Sequence, residues 1–138
     1  MKDISKPPKP IRTDYFKTKE RDVTSYIAVR DTLTRPSVAE SMTVSDLDAD
    51  HCRRGKFGIG YHVLVLHDGT AVQCRPLDTI GAHSRKLDQI SVAIGVVGGL
   101  DEEGKRMNTR TPEQTEMIEG LIAVLKVEYP EATVDDNP

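Results

Sequence analysis

Few residues in this chain are equipped for chemistry, and their spacing limits what they can do. The histidines are His51, His62, His67 and His83, and the cysteines are Cys52 and Cys74. A zinc centre needs three or four Cys, His or carboxylate ligands converging on one point, and a catalytic one also keeps a position for water. No histidine has a partner histidine three or four residues away. Cys52 directly follows His51 and so leaves a helix on a different face, and the cysteines form no C-x-x-C pair. Taken singly, these residues read as structural or surface side chains. Gly58-Ile59-Gly60 is a lone G-x-G that precedes a strand instead of opening a helix, which is the wrong context for a dinucleotide, and there is no phosphate loop.

The elements that must position these residues follow from periodicity and punctuation. Ser25 to Arg30 reads as a first strand. Thr43 to Arg54 reads as a short helix, with Ser45 and Asp48 spaced as a capping box and Val44, Leu47 and His51 on one face. Gly55 ends it, and 56–59 is a loop. Tyr61 to Leu66 and Thr70 to Cys74 make a hairpin around Asp68-Gly69, a dipeptide suited to a tight turn. Both faces of the first hairpin strand are apolar, which predicts a central strand covered on both sides. Strand alternation turns His62 to the face opposite Tyr61. Ser91 to Val97 is another buried strand, closed by Gly98-Gly99. Thr111, Pro112 and Gln114 mark a helix start, and Met117, Ile118, Leu121, Ile122 and Leu125 form a core stripe at helical spacing up to Pro130. Strands alternating with helices predict an α/β domain, a single mixed β-sheet flanked by helices.

Composition sets the outer bounds. A chain of 138 residues is one domain and can bury about 68–70% of its unfolded surface without metal or disulfides. No apolar run approaches a membrane span, and the N-terminus lacks the apolar core of a secretory signal. Two cysteines without a framework imply reduced thiols in a cytoplasmic protein. Residues 1–21 carry seven basic against three acidic residues, a balance of +4, while the remainder carries twelve against nineteen, a balance of −7. The prolines of Lys6-Pro7-Pro8-Lys9-Pro10 favour an extended arm over residues 1–14, with Lys6, Lys9, Arg12 and Lys17 available to an acidic partner, ahead of a folded domain over 15–138. With only Tyr15 and Phe16 interleaved in that arm and an acidic body behind it, nucleic-acid binding is not expected.

The order of the pieces carries more than any one of them. Gly60-Tyr61-His62 before a strand, Asp68-Gly69-Thr70 in a hairpin, Gly81-Ala82-His83, and Val97-Gly98-Gly99 followed by Thr111-Pro112-Glu113-Gln114 together resemble the zinc-dependent N-acetylmuramoyl-L-alanine amidase family. Its relatives include peptidoglycan-recognition proteins and the small lysozymes of podophages. The resemblance covers roughly residues 16–134, and Phe16-Lys17-Thr18-Lys19-Glu20 resembles the N-terminal segment of the podophage proteins.

That resemblance implies a zinc-assisted hydrolysis of the amide between the glycan's lactyl group and the first alanine of the stem peptide. By correspondence, Tyr61 would assist the developing oxyanion or the proton traffic, His83 would lie near the substrate groove, and Ser91 would open the strand beside it. The family's first zinc ligand, a histidine at the end of the first strand, corresponds to Arg30. Its other two ligands and a lysine follow the C-terminal helix, where this sequence reads Thr133 to Pro138, so all three ligand positions are replaced or absent. The resemblance therefore implies no metal and no cofactor, and a groove of Arg30, Tyr61, His83 and Ser91 that works by binding. Its partner would be a protein, such as a phage RNA polymerase or a virion component, or a peptidoglycan fragment, with Arg30 placed to pair with a stem-peptide carboxylate. An active peptidoglycan amidase, an endolysin with Tyr61 catalytic, is the other reading. The setting implied is the cytoplasm of an infected host or a virion.

Overall fold

The computed structural model describes residues 19–54, 59–84 and 86–137. Eight elements follow one another: β1 (Tyr26–Asp31), α1 (Pro36–Ala39), α2 (Val44–Arg53), β2 (Val63–Val65), β3 (Ala71–Gln73), β4 (Ser91–Val96), α3 (Pro112–Glu128) and β5 (Thr133–Asn137). They build a single mixed sheet in the order β3-β2-β4-β1-β5. β1 is parallel to both β4 and β5, β2 is parallel to β4, and only the β2–β3 hairpin is antiparallel. The basic arm, with Lys6, Lys9, Arg12 and Lys17, the 14/15 boundary and most of the loop after α2 lie outside the described residues.

The two faces of this sheet are built from different residues. On the α3 side, Ile27 and Val29 of β1, Val63 and Val65 of β2, and Val92, Ile94 and Val96 of β4 meet Met117, Ile118, Leu121 and Leu125 of α3, so the stripe read from the sequence is core. Each such side chain removed from water contributes about 1.5–3 kcal/mol, which makes this the thick, stabilising layer. On the α2 side the sheet offers Ala28, Leu64 and Ala93 to Leu47, Ile59, Tyr61 and Cys74. Ala28 and Ala93 are register partners, and Arg30 is opposite Gly95. Small residues thus floor the centre of this face and leave a depression there.

Local signals explain most elements. Thr111 caps α3 by accepting from the Gln114 N–H at 3.1 Å, while the Gln114 side chain accepts from the Thr111 N–H at 3.0 Å. The hairpin turns at Gly69, whose φ of 87° suits glycine, with the Thr70 N–H bound to Asp68 Oδ1. The capping box of α2 is Thr43 with Asp46 rather than Ser45 with Asp48. The reason is that Thr43 stands in extended backbone at the true helix start, where its Oγ1 reaches Asp46 N at 3.1 Å and Asp46 Oδ2 receives Thr43 N at 3.0 Å. Two elements have no sequence signal of their own: the single turn of α1, and β5.

Candidate functional site

A groove of about 280 Å³ opens at the C-terminal end of β1, on the thin α2 face. Open α/β sheets bind ligands at this kind of place, beyond the carboxyl ends of their strands. Its lining includes Arg30, Asp31, Leu47, His51, Arg54, Tyr61, His83 and Arg106.

Tyr61 is the centre of it, and Gly95 is what admits it. A Cβ at Gly95 would collide with the Tyr61 ring, so the phenol lies directly on the β4 backbone. Because Gly95 is the register partner of Arg30, the same pairing sets Tyr61 beside Arg30. His51 completes the seat: its Nδ1 accepts the Gly60 N–H at 2.8 Å, which leaves Nε2 to carry the proton of the neutral ring. The His51 ring stands 5.7 Å from that of Tyr61, and the His83 ring stacks on the other side at 6.4 Å. Burial pushes the Tyr61 pKa up, Arg54 and Arg30 pull it partly back, and Asp31 adds to the rise. The phenol is therefore a neutral hydrogen-bond donor at ordinary pH.

Arg30 lies in the groove wall as the sequence suggests, but it is not a free cation. Its Nη1 donates to the carbonyls of Val29 (2.9 Å) and Asp135 (2.6 Å), and its Nη2 pairs with Asp135 Oδ2 at 2.8 Å. The sequence reading that Arg30 pairs with a ligand carboxylate did not include this partner from the chain itself. Arg106 lines the same groove and has neither an ion pair nor a side-chain hydrogen bond among the described residues.

His83, Ser91 and Asp88 invite comparison with a nucleophilic triad, and the geometry rules that out. Ser91 Oγ and Asp88 Oδ1 approach the same nitrogen, His83 Nε2, at 3.1 and 3.4 Å. A relay requires nucleophile and carboxylate on opposite ring nitrogens. Ser91 is fully buried and donates its own proton to the Leu87 carbonyl at 2.6 Å, so Nε2 is the donor to Ser91. Asp88 Oδ1 meanwhile accepts the N–H groups of His83 and Ser84, both at 2.8 Å, which fixes the turn that presents the His83 ring. Ser91 and Asp88 thus orient His83, and Ser91 itself is not part of the groove lining.

His62 is absent from that lining too. The Ala93 N–H donates to its Nδ1 (3.0 Å), so Nε2 holds the proton and donates to the Thr79 carbonyl (2.6 Å), with Arg21 Nη1 3.3 Å away. Burial drives its pKa down to about 3. Cys74 is buried, with its pKa raised to about 12 by burial, and is chemically inert. A second cavity, of about 310 Å³, surrounds Arg21 and Tyr129 near the start of β1. The Arg21 guanidinium is held there by Thr24, Leu77, Thr79 and Tyr129, so its donors are spent on the fold. Among the described residues, no three His, Cys, Asp or Glu side chains gather in a set able to hold a metal ion.

Known proteins fit this geometry. No protein-family profile matches the chain. The endolysin of Escherichia phage T7 is 30% identical over 111 residues, a stretch covering 80% of this chain and 72% of that protein. The chain belongs to the phage endolysin family, the N-acetylmuramoyl-L-alanine amidases. Among solved structures, the N-acetylmuramoyl-L-alanine amidase LysC from Clostridium intestinale superposes with a TM-score of 0.67 at 25% identity, over 83% of this chain and 70% of that one. The same fold recurs in peptidoglycan recognition protein-LE, solved in complex with tracheal cytotoxin, a monomeric diaminopimelic acid-type peptidoglycan, with a TM-score of 0.66 at 22% identity over 94% and 76%. Within this endolysin-family chain, the structure brings Arg30, Tyr61 and His83 into one groove and sets Ser91 behind His83. His51 and Arg106 belong to the same lining. The stripe that places His51 beside Leu47 was visible in the sequence, whereas Arg106 sits in a loop with no periodic signal.

Proposed function

We propose that this amidase-fold domain holds a peptidoglycan fragment in the Tyr61 groove without zinc-dependent hydrolysis. The observation that carries the proposal is Arg30. By family resemblance this position belongs to a metal ligand, and here a guanidinium stands in it, paired at 2.8 Å with Asp135. Arginine stays protonated at any working pH and has no lone pair to offer a metal. The described residues therefore do not fit a zinc ion. What remains is a concave polar site whose lining includes a neutral phenol donor, two histidine rings and the cations of Arg54 and Arg106 beside Asp31 and Asp50, a combination suited to the amides and charged groups of a stem peptide. The tracheal cytotoxin complex of a protein with the same fold supports a ligand of this class.

A second reading, an active endolysin, is favoured by the T7 relative, which bears that name. Metal analysis of the purified full chain, run beside a turbidity assay on bacterial cell walls, separates the two. The binding reading expects substoichiometric zinc and no clearing. Stoichiometric zinc together with clearing would replace it with the enzymatic one.

A further inference from the structure

β5 poses a physical problem. Its sequence, Thr-Val-Asp-Asp-Asn, is poor strand material, its only large apolar side chain, Val134, is 38% exposed, and it forms the edge of the sheet. Consecutive aspartates must also point to opposite faces, so neither face of the strand can rest on a greasy layer. The register shows what compensates. Asp135 pairs with Ala28 and so shares a face with Arg30, while Asp136 pairs with Val29 and faces the α3 side. Each aspartate meets an arginine on its own face. Arg30 binds Asp135 through both its carboxylate (2.8 Å) and its carbonyl (2.6 Å). Arg110, from the loop before α3, grips both oxygens of Asp136 at 2.9 Å and reaches Asp31 Oδ1 through Nε at 3.2 Å. The Asp31 side chain is 2% exposed, and its Oδ2 has no hydrogen-bond partner among the described residues, so Arg110 is the group that makes this buried carboxylate tolerable.

We infer that Arg30 and Arg110 form a two-faced clamp holding β5 on β1 without any metal. A bidentate guanidinium–carboxylate pair and a pair with added backbone bonds are the geometries in which surface ion pairs contribute measurably. Arg30 thereby does two things: it places a positive charge beside Tyr61, and it ties β1, whose end lines the groove, to β5. This rests on the metal-free reading of the groove.

Hydrogen exchange on the full chain tests it, with Arg30→Met, which keeps the aliphatic stem, and Asp135→Asn, which alters a half-exposed residue and leaves the core untouched. Losing a charged hydrogen-bond pair should cost the 133–137 amides about tenfold or more in protection, while β4 and α3 change little. The double variant should be no worse than either single one, and a chelator should leave wild-type β5 protection unchanged. Protection of β5 within about twofold of wild type in both variants overturns the clamp, as does its loss on chelation. Calorimetric titration with a soluble muropeptide is read separately. Absent binding with β5 protection behaving as expected removes the fragment reading and leaves the clamp, and the reverse pattern removes the clamp alone.

Discussion

A histidine buried in the neutral form makes a fold sensitive to acid, and His62 does so here. With its pKa near 3 when folded and near 6.5 when unfolded, only the unfolded chain takes up the proton as pH falls through 6.5. Its contribution is complete above pH 6.5 and is lost progressively down to about 3. Between pH 6.5 and 5 that amounts to about 2 kcal/mol, read as a falling denaturation midpoint, with the His62 ring resonances unshifted over the same range. A ring titrating near 6.5 would show that the bonds to Ala93 and Thr79 are not what fixes its charge. Gly95 makes a different demand, for space. Gly95→Ala drives a methyl into the Tyr61 ring, so it should destabilise by about 1–3 kcal/mol in a urea titration and displace the phenol from the groove. A variant as stable as the parent would mean that Tyr61 does not lie on β4.

The elements differ in how openly the sequence declares them. α3 announces itself through Thr111, Pro112 and Gln114 and through an apolar stripe, all local features. What the stripe does not disclose is that Gln114 also reaches outward, with Nε2 donating to the Leu66 and Val97 carbonyls at 3.2 and 2.9 Å. Thr111→Ala should therefore cost about 1 kcal/mol, a lost cap. Gln114→Met should cost about 2–3 kcal/mol because it also strands the buried Val97 carbonyl, while the Leu66 carbonyl keeps the Gly69 N–H at 2.9 Å. Equal losses in thermal or chemical denaturation would contradict that division. β5 is the opposite case. Three of its five residues, Asp135, Asp136 and Asn137, disfavour strands, and it exists because β1 offers an edge and arginines 105 and 26 positions away offer charge to its aspartates. Long-range pairing of that kind leaves no trace in a local window. The cap of α2 was displaced by two residues because Thr43-x-x-Asp46 and Ser45-x-x-Asp48 offer the same chemistry, and only backbone geometry at the helix start separates them.

At the scale of the whole molecule, division of labour between the two sheet faces explains why one fold can be both stable and receptive. The α3 face carries the large β-branched and aliphatic side chains, and the opposite face carries Ala28, Ala93 and Gly95, whose small size makes room for Tyr61. Motif order in the sequence was enough to reach the amidase fold and to place Tyr61, His83 and Arg30 near one another. It could not show that Arg30 is already engaged, because its partner Asp135 belongs to the strand without a signal. Among the described residues, no helix is long and apolar enough to cross a membrane. The central claim, a groove that binds without zinc, is tested most directly by titrating the full chain with a soluble muropeptide in the presence of a chelator and weighing the ligand afterwards by mass spectrometry. Saturable binding with the muropeptide recovered intact is the predicted result. A chelator-sensitive interaction, with the ligand cut at its lactyl–alanine amide once zinc is restored, would contradict it.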